Sequence, residues 1–199
     1  MDRLKRRGLI AAVLALVAVP ALAQYSDSYN FLKAVRSRDT ETAMALVADP
    51  RSTAINARGS DGDGALHILV RSRSQTDLTW IVYFLSRGAR PDLQNRDGDT
   101  PLMLAARAGW IEAAEALLAR GANINLANGR GETPLIRAVQ LRDIAMVRVL
   151  IANGADPSHT DSVAGYSALD YARRDTRAAA ILRVLEAPRP ARRTAGPTR

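Results

Sequence analysis

A chain of 199 residues suits one domain or at most two, and its 47% hydrophobic and 24% charged residues exclude a collagen-like or wholly disordered protein. It has no cysteine, which rules out disulfides, zinc–cysteine sites, cysteine nucleophiles and cysteine-linked lipids, and only two histidines, His67 and His159, too few for a multi-histidine metal site. The net charge of +8 sits mainly at the two ends: residues 24–187 hold 20 basic and 19 acidic residues, so the high pI does not signal a nucleic-acid groove and nucleic acid is not an expected partner.

Residues 1–23 read as a secretory signal peptide. Arg3, Lys5, Arg6 and Arg7 precede an apolar run from Leu9 to Val19, and Ala21-Leu22-Ala23 offers small residues where a signal peptidase reads, with cleavage expected before Gln24. An uncleaved membrane anchor is the alternative. As a helix the run would reach about 16 Å, against a hydrocarbon core of roughly 30 Å. Arg6-Arg7 also invites twin-arginine export, although Lys5 and Gly8-Leu9-Ile10 around it fit that pattern poorly. No other segment approaches membrane-span length, so no span is expected in the exported chain.

Beyond residue 24 a period governs the chain. Thr100-Pro101-Leu102 returns as Thr133-Pro134-Leu135, and Gly88, Gly121 and Gly154 follow at the same interval of 33 residues. A fixed period of this size marks a stacked array. The first unit spans about 29–58, where Phe31 to Val35 corresponds to Leu135 to Val139 and Arg38-Asp39 to Arg142-Asp143. The second, about 59–95, opens on Gly64-Ala65-Leu66-His67 and carries three extra residues, expected around Arg71 to Thr76 between its helices. The third, about 96–128, starts a helix with Thr100 as cap and Pro101 in the first turn, ends it near Gly109, and runs a second helix over about 111–119. The fourth, about 129–161, repeats this from Thr133, with a second helix over about 144–152. The fifth, about 162–187, opens on Gly165-Tyr166-Ser167-Ala168-Leu169 and closes with a helix over about 178–185. Gly88, Gly121 and Gly154 fit the left-handed position that stops a helix. Residues 188–199 hold four arginines, three prolines and no acid, and read as a disordered basic tail.

Helix, turn, helix and projecting turn at this period resembles the ankyrin repeat family. Gly-x-Thr-Pro-Leu and Leu-Leu-x-x-Gly-Ala-x-Ile-Asn stand at the family's spacing within residues 96–161, and the likeness extends over about 29–187. It implies an all-α solenoid of about five helix-turn-helix units, with the terminal units departing furthest from the motif because they expose an outer face. The family's Thr-Pro-Leu-His is incomplete: Met103, Ile136 and Asp170 replace histidine, and His67 lies in a unit without the threonine and proline. The family's threonine–histidine hydrogen bond is thus absent from every unit, and Asp170 needs a partner the sequence does not name.

Candidate chemistry is sparse. His67 matches the family's buried structural histidine, and His159 lies in a connecting loop. Asp61-Gly62-Asp63 and Asp97-Gly98-Asp99 are better explained as turn residues than as calcium ligands. There is no Gly-x-Ser-x-Gly elbow and no phosphate loop, so no enzyme, cofactor or metal is expected. By resemblance, another protein binds the concave face. Its loop tips hold Ser60, Asp61 and Asp63, then Arg96, Asp97 and Asp99, then Gly129, Arg130 and Glu132, then Tyr166. Its helix row holds Arg71, Arg107, Gln140, Leu141 and Arg173. Trp110 has two readings, packing across the neighbouring unit or partner contact, and Trp80 is expected in the core. The alternatives to a binding module are an envelope-tethering protein anchored by the basic tail and an inhibitor or regulator of a client enzyme. A monomer is expected. Twenty-six arginines against two lysines, with no Asn-x-Ser/Thr site, suit a GC-rich bacterium and, with the signal, the periplasm.

Overall fold

The structure, a computed structural model, describes residues 26–49, 52–74 and 76–187. The signal segment and the basic tail lie outside the described residues. Helix α1 covers 26–37. It is followed by α2 (Thr40–Ala48), α3 (Ala65–Ser72), α4 (Asp77–Ser86), α5 (Pro101–Ala108), α6 (Ile111–Ala119), α7 (Pro134–Gln140), α8 (Ile144–Ala152), α9 (Ala168–Arg174) and α10 (Ala179–Glu186). Short 3₁₀ turns stand at Ala54–Asn56 and Thr176–Ala178. Among the described residues the only β pairing outside helices is an isolated bridge, Thr160 to Ser167, and no helix is long and apolar enough to cross a membrane.

Local chemistry starts each first helix. The Thr100 hydroxyl accepts the Met103 N–H at 3.2 Å, the Thr133 hydroxyl accepts the Ile136 N–H at 3.3 Å, and a proline follows each. Each cap satisfies one of the donors a helix start leaves over, a contribution of about 1 kcal/mol. In the fifth unit Ser167 and Asp170 cap one another: Asp170 N–H donates to the serine oxygen, and Ser167 N–H donates back to the carboxylate at 3.0 Å. Ser167 is thus the partner Asp170 needs, and its hydroxyl bond leads the interactions that hold the Asp170 pKa below the usual carboxylate value.

The three extra residues of the second unit are shared out. Four residues separate α3 from α4, against two between α5 and α6, and α4 is one residue longer than α6. Between the paired helices the backbone turns left-handed at Arg38, Arg73, Gly109 and Arg142, with φ of 61°, 49°, 62° and 58°. Three of these four places carry arginine where glycine is easiest, and each arginine reaches into the next unit. Arg38 forks onto the buried Asp77 at 3.2 and 3.3 Å, Arg73 donates to the Ala108 carbonyl at 2.7 Å, and Arg142 meets Asp175 at 3.3 Å.

The first helices α3, α5, α7 and α9 pack in one row, and the second helices α4, α6, α8 and α10 in another. Leu102, Leu117, Leu135, Met146 and Leu150 fill the space between the rows, with exposures of 1% or less. Fully burying one such side chain stabilises by about 1.5–3 kcal/mol. Phe31 meets Phe84 edge-on at 5.3 Å and joins the first unit to the second. Trp80 is half-buried rather than fully enclosed, lying edge-on to Phe84 at 5.6 Å.

Candidate interaction face

Each of the three later connecting loops is organised around one side chain. Asn95 Oδ1 accepts the N–H groups of Asp97 and Asp99 at 3.0 Å each, and Asn128 Oδ1 accepts those of Arg130 and Glu132 at 2.9 and 3.0 Å. Their amide nitrogens point back along the array: Asn95 Nδ2 donates to Asp63 and Asn128 Nδ2 to Asp99, both at 2.9 Å. In the last loop Asp161 takes the asparagine's place. Its Oδ1 accepts from Val163, Ala164 and Gly165, and its Oδ2 from the Tyr171 hydroxyl at 2.6 Å. Burial alone would raise the Asp161 pKa, but the Tyr171 hydroxyl and the three amides outweigh it and hold it below the ordinary value. The same bond to Asp161 raises the pKa of Tyr171.

The loop tips are also tied backbone to backbone, once per junction. Arg96 N–H donates to the Asp61 carbonyl at 3.2 Å, Gly129 N–H to Asp97 at 2.9 Å, and Ser162 N–H to Arg130 at 2.9 Å. Where the tips touch, Gly98 adopts φ of 78°, and a Cβ there would stand 2.5 Å from the Gly129 nitrogen.

Beneath each tip an acid is anchored to the first helix of its own unit. Arg71 Nε donates to Asp63 at 2.8 Å, Arg107 approaches Asp99 at 3.8 Å, and Arg137 donates to Glu132 at 2.7 Å. Asp63, Asp99 and Glu132 are buried, at 4, 5 and 7% exposure. This corrects the expectation that Asp63, Asp99 and Glu132 meet a partner: each spends its oxygens on neighbouring loops and helices. Trp110 is corrected as well. It is buried at the start of α6, which leaves its packing role and removes it from the surface. Arg96, Asp97, Arg107, Arg130 and Leu141 are exposed as expected, and Gln140 and Tyr166 are half-buried. Gln140 accepts from Arg137 at 3.2 Å. Tyr166 lies edge-on to Tyr171 at 5.6 Å, with the Arg174 guanidinium 4.5 Å from its ring centre. Of the acids in these loops, Asp63, Asp99 and Glu132 thus face inward, whereas Asp97 stays outward beside Arg96 and Arg130.

His67 is fully enclosed. Its Nδ1 accepts the Gly64 N–H at 3.2 Å, which leaves the proton on Nε2 to donate to the Asp99 carbonyl of the next unit at 2.9 Å. Burial lowers its pKa, against the opposing pull of the Asp99 carbonyl and the Asp63 and Asp99 carboxylates. His159 Nε2 is 3.2 Å from the Gly131 carbonyl. Among the described residues no group of three or more acidic or histidine side chains is placed to hold a metal ion.

Lys33, Arg36 and Arg58, which sequence reasoning passed over, line a groove between α1 and the loop before α3. For Lys33 and Arg36 the signal was their spacing with Tyr29, which sets three long side chains on one side of a helix; Arg58, in a loop, had none.

Residues 74–161 match the family model of ankyrin repeats (3 copies). The chain is also similar to E3 ubiquitin-protein ligase XB3 of Oryza sativa subsp. japonica, at 36% identity over 96 residues, which is 48% of this chain and 21% of that protein. The chain therefore spans about a fifth of the length of the relative it matches.

Proposed function

We propose that this chain, an ankyrin-repeat array, binds another protein through its loop tips and first-helix row and performs no chemistry of its own. Ankyrin repeats are in general protein-interaction modules, and the ligase activity named for the rice protein belongs to a protein of which the likeness covers only a fifth. The observation that carries the reading is the locking of the loops. Asn95, Asn128 and the buried acids fix each tip, so that Arg96, Asp97 and Arg130 project from rigid supports at a repeated interval. Side chains held this way lose little freedom on binding, which favours affinity. The place of action we infer is the bacterial periplasm, reached through the N-terminal signal.

The test is capture of the physiological partner by crosslinking in the source organism, read by mass spectrometry. Arg96→Ala with Arg130→Ala leaves the folded state within about 0.5 kcal/mol, because both arginines are exposed and the buried Glu132 keeps its closer partner Arg137 at 2.7 Å when the Arg130 contact at 3.3 Å is lost. The same pair of changes weakens capture at least tenfold, or about 1.4 kcal/mol. Deleting residues 188–199 does much less. Capture that survives the double change and vanishes with the tail would replace this reading with tethering by the tail.

A further inference from the structure

A groove of about 740 Å³ opens at the start of the array, between α1 and the first loop. Tyr29, Lys33 and Arg36 face it from one side of the helix, and Arg58 and Ser60 from the loop. Its lining includes the buried Leu32, and Tyr29 stands 65% exposed at its edge. Arg36 shares its charge with Asp61 at 3.3 Å, both half-exposed. Lys33 and Arg58 meet no acid among the described residues, so the groove holds two uncompensated cations.

The loop beside it is open along its backbone too. At every later junction one tip N–H donates to the tip before it, from Arg96, Gly129 and Ser162 in turn. Ser60 holds the corresponding place in the first loop, four residues ahead of Gly64 as Arg96 is ahead of Thr100. Among the described residues no loop precedes it to take its N–H. There is no sheet edge among the described residues, but an unpaired backbone donor beside a groove can take one carbonyl of an extended peptide.

We infer, resting on the protein-binding reading above, that this groove seats an extended acidic peptide segment of the partner. A peptide carbonyl takes the Ser60 N–H, its carboxylates meet Lys33 and Arg58, and an apolar side chain lies over Leu32 and Tyr29. A single aromatic ring, with the cations gathered in one unit, suits a short peptide better than a nucleic-acid strand, which needs a charged track with successive stacking rings.

Fluorescence anisotropy with the full chain tests this. The probes are a short, capped, fluorescein-labelled peptide of alternating glutamate and leucine, its lysine counterpart, and a short oligothymidylate. The acidic peptide binds saturably and less tightly as salt rises. Lys33→Gln with Arg58→Gln weakens it at least about tenfold, Lys33→Arg with Arg58→Lys retains it, and Arg96→Ala with Arg130→Ala leaves it unchanged. No saturable binding, equal binding of the lysine peptide, tighter binding of the oligothymidylate, or an affinity untouched by the two glutamines would overturn the inference. If the groove fails while the alanine pair still abolishes partner capture, the broader reading stands without it.

Discussion

His67 does two jobs that other units divide between a threonine and packing. In α5 and α7 a threonine hydroxyl caps the first turn, whereas in α3 glycine stands at that place and the imidazole takes up the glycine N–H instead. The ring's other nitrogen then ties the second unit to the third through the Asp99 carbonyl. Protonation on Nδ1 removes the acceptor for the Gly64 N–H while the Nε2–H bond to Asp99 persists, and burial sets the ring's pKa below the ordinary value. The unfolded chain takes up this proton near pH 6.5, while the folded chain resists it. Stability is therefore fully present above about pH 6.5 and declines as the pH falls below it, down to the lowered folded pKa. Urea midpoints measured between about pH 4.5 and 8 should show that decline, and His67→Gln should flatten it while lowering the midpoint throughout. The position of His67 was legible in the sequence from the Leu66-His67 pair at the motif's place. Its acceptor role was not, because a backbone N–H leaves no mark in residue types.

The loop shows where sequence spacing stops informing. Arg96-Asp97-Gly98-Asp99 reads as four residues of one exposed turn, yet Asp97 is exposed and Asp99 is 5% exposed. Spacing placed both at the tip; the inward turn of Asp99 follows from Asn128 Nδ2 and Arg107, which belong to another loop and to a helix. Trp110 was undecided for the same reason. The helices themselves were legible, since Thr-Pro starts and glycine stops act within a few residues: α6 and α8 run over the spans expected. The tip glycines separate two requirements that sequence cannot. Gly98 and Gly165 both adopt positive φ, 78° and 68°, but only Gly98 faces the backbone of a following loop, whereas a Cβ at Gly165 meets nothing within 4 Å. Gly165→Ala should cost about 1 kcal/mol, from backbone strain alone. Gly98→Ala should cost at least about 2 kcal/mol, because the crowding adds to it. Chemical denaturation of the two variants checks the difference.

Across the whole molecule, stability is a chain of neighbour contacts rather than one shared core. Helix α5 buries six of its residues between units on both sides, whereas α2 buries Ala43 and Val47 only and α10 Ile181 and Leu185 only. Native-state hydrogen exchange should accordingly find the amides of α5 to α8 protected longest and those of α2 and α10 exchanging first. Equal protection throughout would mean one cooperative unit. The left-handed arginines add a constraint of a different sort, on descent. Arg38 needs Asp77, Arg142 needs Asp175, and Arg73 finds the Ala108 carbonyl because the unit it meets carries Trp110 where its neighbours carry an acid. Gly109 needs no such partner, and a Cβ in its place would stand 3.0 Å from an Asp143 oxygen. Repeat arrays grow by copying a unit in tandem, but a second copy of the third unit would set Gly109 against another Trp110 instead of Asp143. The new seam would inherit neither the arginine clasp nor the acid beside the glycine. The order of units is thus held by its seams, and a lengthened descendant would have to mutate at the junction before its extra unit contributed to the stack.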